Sequence, residues 1–115
     1  MMRKKYTLRI RAVDKDIFEA IREGKKPVET RAATSKYRSI QKGDVVVLVC
    51  GKARFQKKVR EAHIFKNITT MLKKYRVQDI MPHISSVKEL QDEYYGFPNY
   101  REKIKKFGFI ALELE

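Results

Sequence analysis

Residues 45–50 read Val-Val-Val-Leu-Val-Cys, apolar at every position, and the chain then turns at Gly51-Lys52 into a long alternating stretch, Ala53 to Phe65. A strand with no polar side must be covered on both faces, so it belongs at the centre of a layered or closed sheet. In the stretch that follows, Arg54, Gln56, Lys58 and Arg60 share one side and Phe55 and Val59 the other. Ala62 and Ile64 then have the parity of Arg60 rather than of Val59, a phase switch that predicts a β-bulge near Glu61 to Ile64.

The remaining pattern supplies partners for this hairpin. Tyr6 to Arg11 alternates, with Tyr6, Leu8 and Ile10 opposite Thr7, Arg9 and Arg11. Asp14 is a candidate N-cap for a short helix carrying Ile17, Phe18 and Ile21, and Gly24 ends it. Pro27 forces an extended entry into a brief strand, Val28 to Arg31, and Ala32 to Arg38 reads as a basic loop. Thr69 to Tyr75 has a helical pattern, and Val77 to Ser85, which holds Pro82, reads as a connector. Ser86 and Glu89 have capping-box spacing ahead of Val87, Leu90 and Tyr94. Asn99 is a candidate cap for a helix reaching Lys106, and Phe107 to Glu115 alternates as a closing strand. Five or six strands with two to four short helices predict an α+β fold on a small β-barrel, in one domain spanning 1–115. A four-stranded sheet of the RNA-recognition type is disfavoured, because no strand carries the aromatic motif that stacks bases there.

Charge narrows the function classes. The formal net charge is +13, and it is uneven: Met1 to Lys66 holds 19 basic and 7 acidic residues, whereas Asn67 to Glu115 holds 8 and 7. A concentrated positive field attracts polyanions, and phosphates bound by Lys and Arg release counterions. The expected partner is therefore RNA or another nucleic-acid-type anion, with charge for solubility alone as the plainer reading. One cysteine, Cys50, excludes an internal disulfide, and with only His63 and His83 beside it no zinc spacing exists. No metal or other cofactor is expected. Met1 to Arg11 lacks the apolar core of a signal peptide, and no stretch approaches a membrane span, so a cytoplasmic protein without a membrane partner is expected.

The segment Gly24-Lys25-Lys26-Pro27-Val28-Glu29-Thr30-Arg31 is the richest in chemistry. In an extended Val28 to Arg31, Glu29 and Arg31 project to the same side, about 7 Å apart, and Lys26 is placed to swing over them. The same charges read equally as a salt bridge on a wet surface. Arg54, Lys58 and Arg60 form a ladder suited to a phosphate backbone, or simply the wet face of a barrel strand. Lys36 and Arg38 flank Tyr37, an arrangement suited to stacking a base beside cations, and Tyr95 is a second candidate platform. The other aromatics near Gly96 and Pro98 read as packing.

The order Gly-Lys-Lys-x-x-Glu-x-Arg, a basic spacer, then Lys42-Gly43-Asp44 leading into an apolar strand, resembles the start of ASCH domains. The later Ile80-Met81-Pro82, Ser86-Val87-Lys88-Glu89-Leu90, Tyr94-Tyr95, Tyr100 and Phe107-Gly108-Phe109-Ile110-Ala111-Leu112 are similar to that family's second half, so the resemblance spans nearly the whole chain. It implies a PUA-like barrel with Lys26, Glu29 and Arg31 on the floor of a cleft, and RNA binding in a transcription or translation setting, where a protein partner is also possible. Some bacterial relatives are small amidohydrolases acting on acetylcytidine, and one type is a ribonuclease. Lys26 matches the amidohydrolases' catalytic lysine, but Glu29 stands where they have threonine. A carboxylate there removes a nucleophilic hydroxyl and favours the charged form of Lys26, which disfavours it as a base. Lys26 and Glu29 are thus the catalytic candidates if the chain is an enzyme, and binding residues otherwise.

Overall fold

In a computed structural model that describes residues 3–115, the chain forms a curled five-stranded sheet with short helices packed against both of its faces. Met1 and Met2, the start of the stretch tested for a signal peptide, lie outside the described residues. The elements in order are β1 (Lys5–Arg9), a 3₁₀ turn (Ala12–Asp14), α1 (Lys15–Arg22), β2 (Val28–Ala32), β3 (Val45–Cys50), β4 (Ala53–Phe65), α2 (Ile68–Met71), α3 (Val77–Ile80), α4 (Val87–Tyr95), α5 (Tyr100–Phe107) and β5 (Phe109–Leu114). The sheet order is β1-β3-β4-β5-β2, with β1 parallel to β3 and every other pair antiparallel.

β3 lies between two partners, and all its residues except half-buried Val47 are buried. Gly51 carries a positive φ at the first position of the two-residue turn into β4, where glycine adopts the mirror-image geometry that hairpins favour. The phase switch in β4 is a register shift between Val59 and Glu61 opposite β5. The long strand serves two neighbours: residues up to Lys58 pair with β3, and those from Val59 onward with β5.

Two cores form on opposite sides of the sheet. Leu8, Phe18, Ile21, Val46, Leu48 and Val59 fill the concave side together with Ile110, Leu112 and Leu114 of β5. Phe109 and Ala111, the alternate residues of β5, face the other core with Val28, Met71, Ile80, Leu90, Tyr94 and Ile104. β5 is therefore apolar on both faces because it divides the cores. Gly108 starts it with a positive φ, and a Cβ there would lie 2.4 Å from the Phe65 carbonyl oxygen, so no side chain fits.

Caps fix the helices. Ser86 Oγ accepts from the Glu89 amide at 3.1 Å, which is the first half of the expected capping box; the Glu89 carboxylate accepts from the Ser85 and Ser86 hydroxyls rather than from the Ser86 amide. Asn67, unmarked in the sequence, caps α2 through the Thr70 amide at 2.9 Å. Asp14 precedes α1 but turns its carboxylate to Arg11 instead of to the helix amides. Asn99 precedes α5 in the left-handed region at φ 62 and makes no side-chain cap. α3 is a helical turn within the expected connector.

Candidate functional site

The curl of the sheet brings the free edges of β1 and β2 towards each other. Leu114 donates its amide to the Pro27 carbonyl, and Ala33 donates to Gly108. By antiparallel alternation, the backbone groups of Glu29 and Arg31 therefore face β5, while those of Val28, Thr30 and Ala32 face the open edge. Glu29 and Arg31 lie opposite Leu112 and Ile110, which puts their side chains on the concave side.

Three charged side chains meet there. Lys26 has a fully buried side chain and donates to the Val28 carbonyl at 2.8 Å and to the Ile80 carbonyl, with Glu29 at 3.4 Å. Glu29 also accepts from its neighbour's amide, Thr30, at 3.2 Å and from Arg31 Nε at 3.1 Å. Arg31 donates in addition to the Tyr37 hydroxyl at 3.2 Å and to the Arg9 carbonyl at 2.9 Å, the bond that ties β2 to β1. Burial works to raise the Glu29 carboxyl, but Lys26 and Arg31 outweigh it and hold the group below its ordinary value. Burial pulls the Lys26 ammonium below its ordinary value, with Glu29 pulling the other way. Glu29 favours the Lys26 ammonium as expected, but burial outweighs it, so the net direction is opposite to the one the pair alone predicts.

Above this triad is a cleft of about 170 Å³. A cavity of about 150 Å³ accepts benzene, so the space suits one flat ring. Its polar wall holds Glu29, Thr30, Arg31, Arg9, Arg11 and Asp14, and its apolar wall is built from Ile10, Ile17, Met81, Phe97, Pro98 and Tyr100. Phe97 and Tyr100 meet edge to face with centroids 5.2 Å apart. Arg11 is partly committed, pairing with Asp14 at 2.9 Å and lying 5.2 Å over the Phe97 ring. Burial raises the Tyr100 hydroxyl above its ordinary value against the pull of Arg31, keeping it a neutral donor.

Of the expected site residues, Glu29 and Arg31 line the cleft. Lys26 does not: it lies beneath the floor, with its buried ammonium held by the Val28 and Ile80 carbonyls and by Glu29. Tyr37 does not line the cleft; it packs against the concave core and accepts from Arg31, whose guanidinium lies 5.3 Å from its ring. Lys36 lies over the same ring at 5.4 Å, and Arg38 donates to the Ala33 carbonyl at 2.6 Å. Arg54 and Lys58 are exposed on the convex side of β4, away from the cleft. Arg60 leaves their row at the bulge and faces Glu113 at 3.6 Å. Tyr95 is half-buried 4.5 Å from the Arg101 guanidinium and does not line the cleft. The cleft residues that sequence patterns missed are Arg9, Arg11, Phe97 and Tyr100. Arg9 and Arg11 had a signal, as cations on the polar side of the first strand.

Solved structures share the fold. A crystal structure of hypothetical protein PH0355 matches with a TM-score of 0.83 and 29% identity, over 96% of this chain and 97% of that one. The solution NMR structure of protein PF0455 from Pyrococcus furiosus matches with a TM-score of 0.72 and 29% identity, over 99% of this chain and 96% of that one. No family model and no curated protein matches the chain. Coverage this complete in both directions means that the half-barrel and its helices recur as one unit. Among the described residues, no helix is long and apolar enough to cross a membrane, and no three His, Cys, Asp or Glu side chains are grouped to hold a metal ion.

Proposed function

We propose that this chain is a cytoplasmic RNA-binding module of the ASCH type, taking one nucleotide or RNA end into the cleft between β1 and β2. The observation that carries the reading is Arg31. Its guanidinium has five N–H donors, of which three are held by Glu29, Tyr37 and the Arg9 carbonyl, and its side chain is 13% exposed at the cleft. A cation fixed from three sides with donors to spare beside two aromatic rings fits a phosphate or a base edge with a ring stacked nearby. Glu29 holds the guanidinium in plane, and Lys26 holds Glu29.

The hydrolase reading needs Lys26 at the substrate. Its closed environment favours binding instead, because a general base must reach the proton it takes. The test is fluorescence anisotropy with short single-stranded RNA across a salt series. Affinity is expected to fall steeply with salt, and Arg31→Ala is expected to weaken binding more than Lys58→Ala. RNA binding that is absent or indifferent to salt would sink the proposal, and recovery of a protein partner by RNA-free material would favour an interaction module.

A further inference from the structure

The convex face of β1, β3 and β4 has a pattern that the cores do not use and the cleft touches only at Arg9. No Asp or Glu occurs from Arg3 to Val13 or from Val45 to Arg60. Register aligns the side chains in rows: Lys5 and Lys58 flank Val45, and Arg9 and Arg54 flank Val49. Between these rows, Thr7 and Gln56 flank Val47. Alternation puts all of them opposite the concave core. The outcome is a rectangle of cations about 10 Å across and about 13 Å along the strands.

These charges are uncommitted. Among the described residues, none of the four cations forms an ion pair, and none donates a side-chain hydrogen bond. Val45 and Val49 are 7% and 6% exposed yet belong to neither core, as expected where long cationic stems lie across a sheet face. A membrane-binding face presents apolar anchors, and the molecule's exposed large apolar residues, Val13, Ile64 and Val87, are all elsewhere. Cations at the corners with a hydroxyl and an amide between them suit a polar, regularly charged chain. Arg9 borders both surfaces, with its side chain on the convex face and its carbonyl, which accepts from Arg31, at the cleft.

We propose that the convex face of β1, β3 and β4 binds the phosphodiester backbone of a single-stranded nucleic acid, which crosses at Arg9 to deliver one base to the cleft. A duplex keeps its bases stacked inside, so a ligand reaching both surfaces is single-stranded. The path into the cleft rests on the proposed function, whereas backbone binding on the face stands independently.

The experiment uses a short fluorescent oligouridylate and uridine monophosphate against the full chain, the triple variant Lys5→Gln/Arg54→Gln/Lys58→Gln, and Phe97→Ala. The triple variant is expected to reduce the slope of log affinity against log salt by about 2, at about 0.7 per cation for a single strand, and to leave mononucleotide binding unchanged. Phe97→Ala is expected to weaken the mononucleotide and leave the oligomer's slope intact. If the mononucleotide does not bind but the triple variant still lowers the slope, the cleft reading fails and the face stands. An unchanged slope in a folded triple variant overturns the proposal. It is also overturned if phosphatidylserine vesicles or polyglutamate bind the wild-type face as tightly as the oligomer and lose binding equally in the triple variant.

Discussion

Lys26 and Lys58 come from the same basic half of the chain and have opposite surroundings. Around Lys26, the carbonyls of Val28, on the free edge of β2, and of Ile80, at the end of α3, both receive its ammonium. Lys58 lies in a ladder between β3 and the chain end, where its carbonyl accepts from Glu115, and its side chain is free in solvent. One lysine has been taken up by the fold and the other left available. A net charge therefore overstates the cations a ligand can meet, and the backbone groups near each cation decide which kind it is.

The sharpest way to break this contrast is stability. Glu29→Gln leaves Lys26 and Arg31 without their shared counter-charge in a buried site, and breaking one side of a buried ion pair costs about 3–5 kcal/mol. Lys58→Gln touches no such network and is expected to stay within about 0.5 kcal/mol. Urea midpoints at unchanged m separate the two. Equal midpoints would mean that the triad is not structural.

Acid provides a second test of the same site. The folded Glu29 carboxyl lies below its ordinary 4.5, so between those values the unfolded chain binds more protons than the folded one. Its stabilising contribution is then complete above pH 4.5 and lost as the pH falls through the folded value. Thermal midpoints measured downward from neutral pH are expected to decline in the wild type below 4.5, with a shallower decline in Glu29→Gln. Parallel declines would place the acid sensitivity elsewhere.

The half of the fold that depends on local pattern was legible in the sequence. The all-apolar β3, its Gly51 turn, the bulge in β4 and the N-cap at Ser86 each follow from neighbours within a few residues. What lay hidden depends on distant partners. α3 is one helical turn with only Val77 and Ile80 as apolar residues, and its carbonyl at Ile80 is what seals Lys26, 54 residues earlier. Phe97 and Tyr100 read as packing residues, and they do pack, but the curl that brings β1 to β2 also makes them a cleft wall. No periodicity records that closure, because it is set by Arg31 reaching the carbonyl of Arg9 across 22 positions.

The smallest expected effect separates two cations of one strand. Among the described residues Lys58 forms no ion pair, whereas Arg60, displaced by the bulge, faces Glu113, which also accepts from the Tyr75 hydroxyl at 2.7 Å. Lys58→Gln is expected to lower the salt slope of RNA binding by about 0.7, the share of one released counterion. Arg60→Gln is expected to lower it by less, because a cation already beside a carboxylate neutralises less of a phosphate's charge and displaces fewer of the strand's counterions. Its stability cost is that of an exposed ion pair, about 0–1 kcal/mol. Equal slope changes at the two positions would show that the bulge does not remove Arg60 from the charged face, and the row would then run on from Arg54 through Lys58 to Arg60.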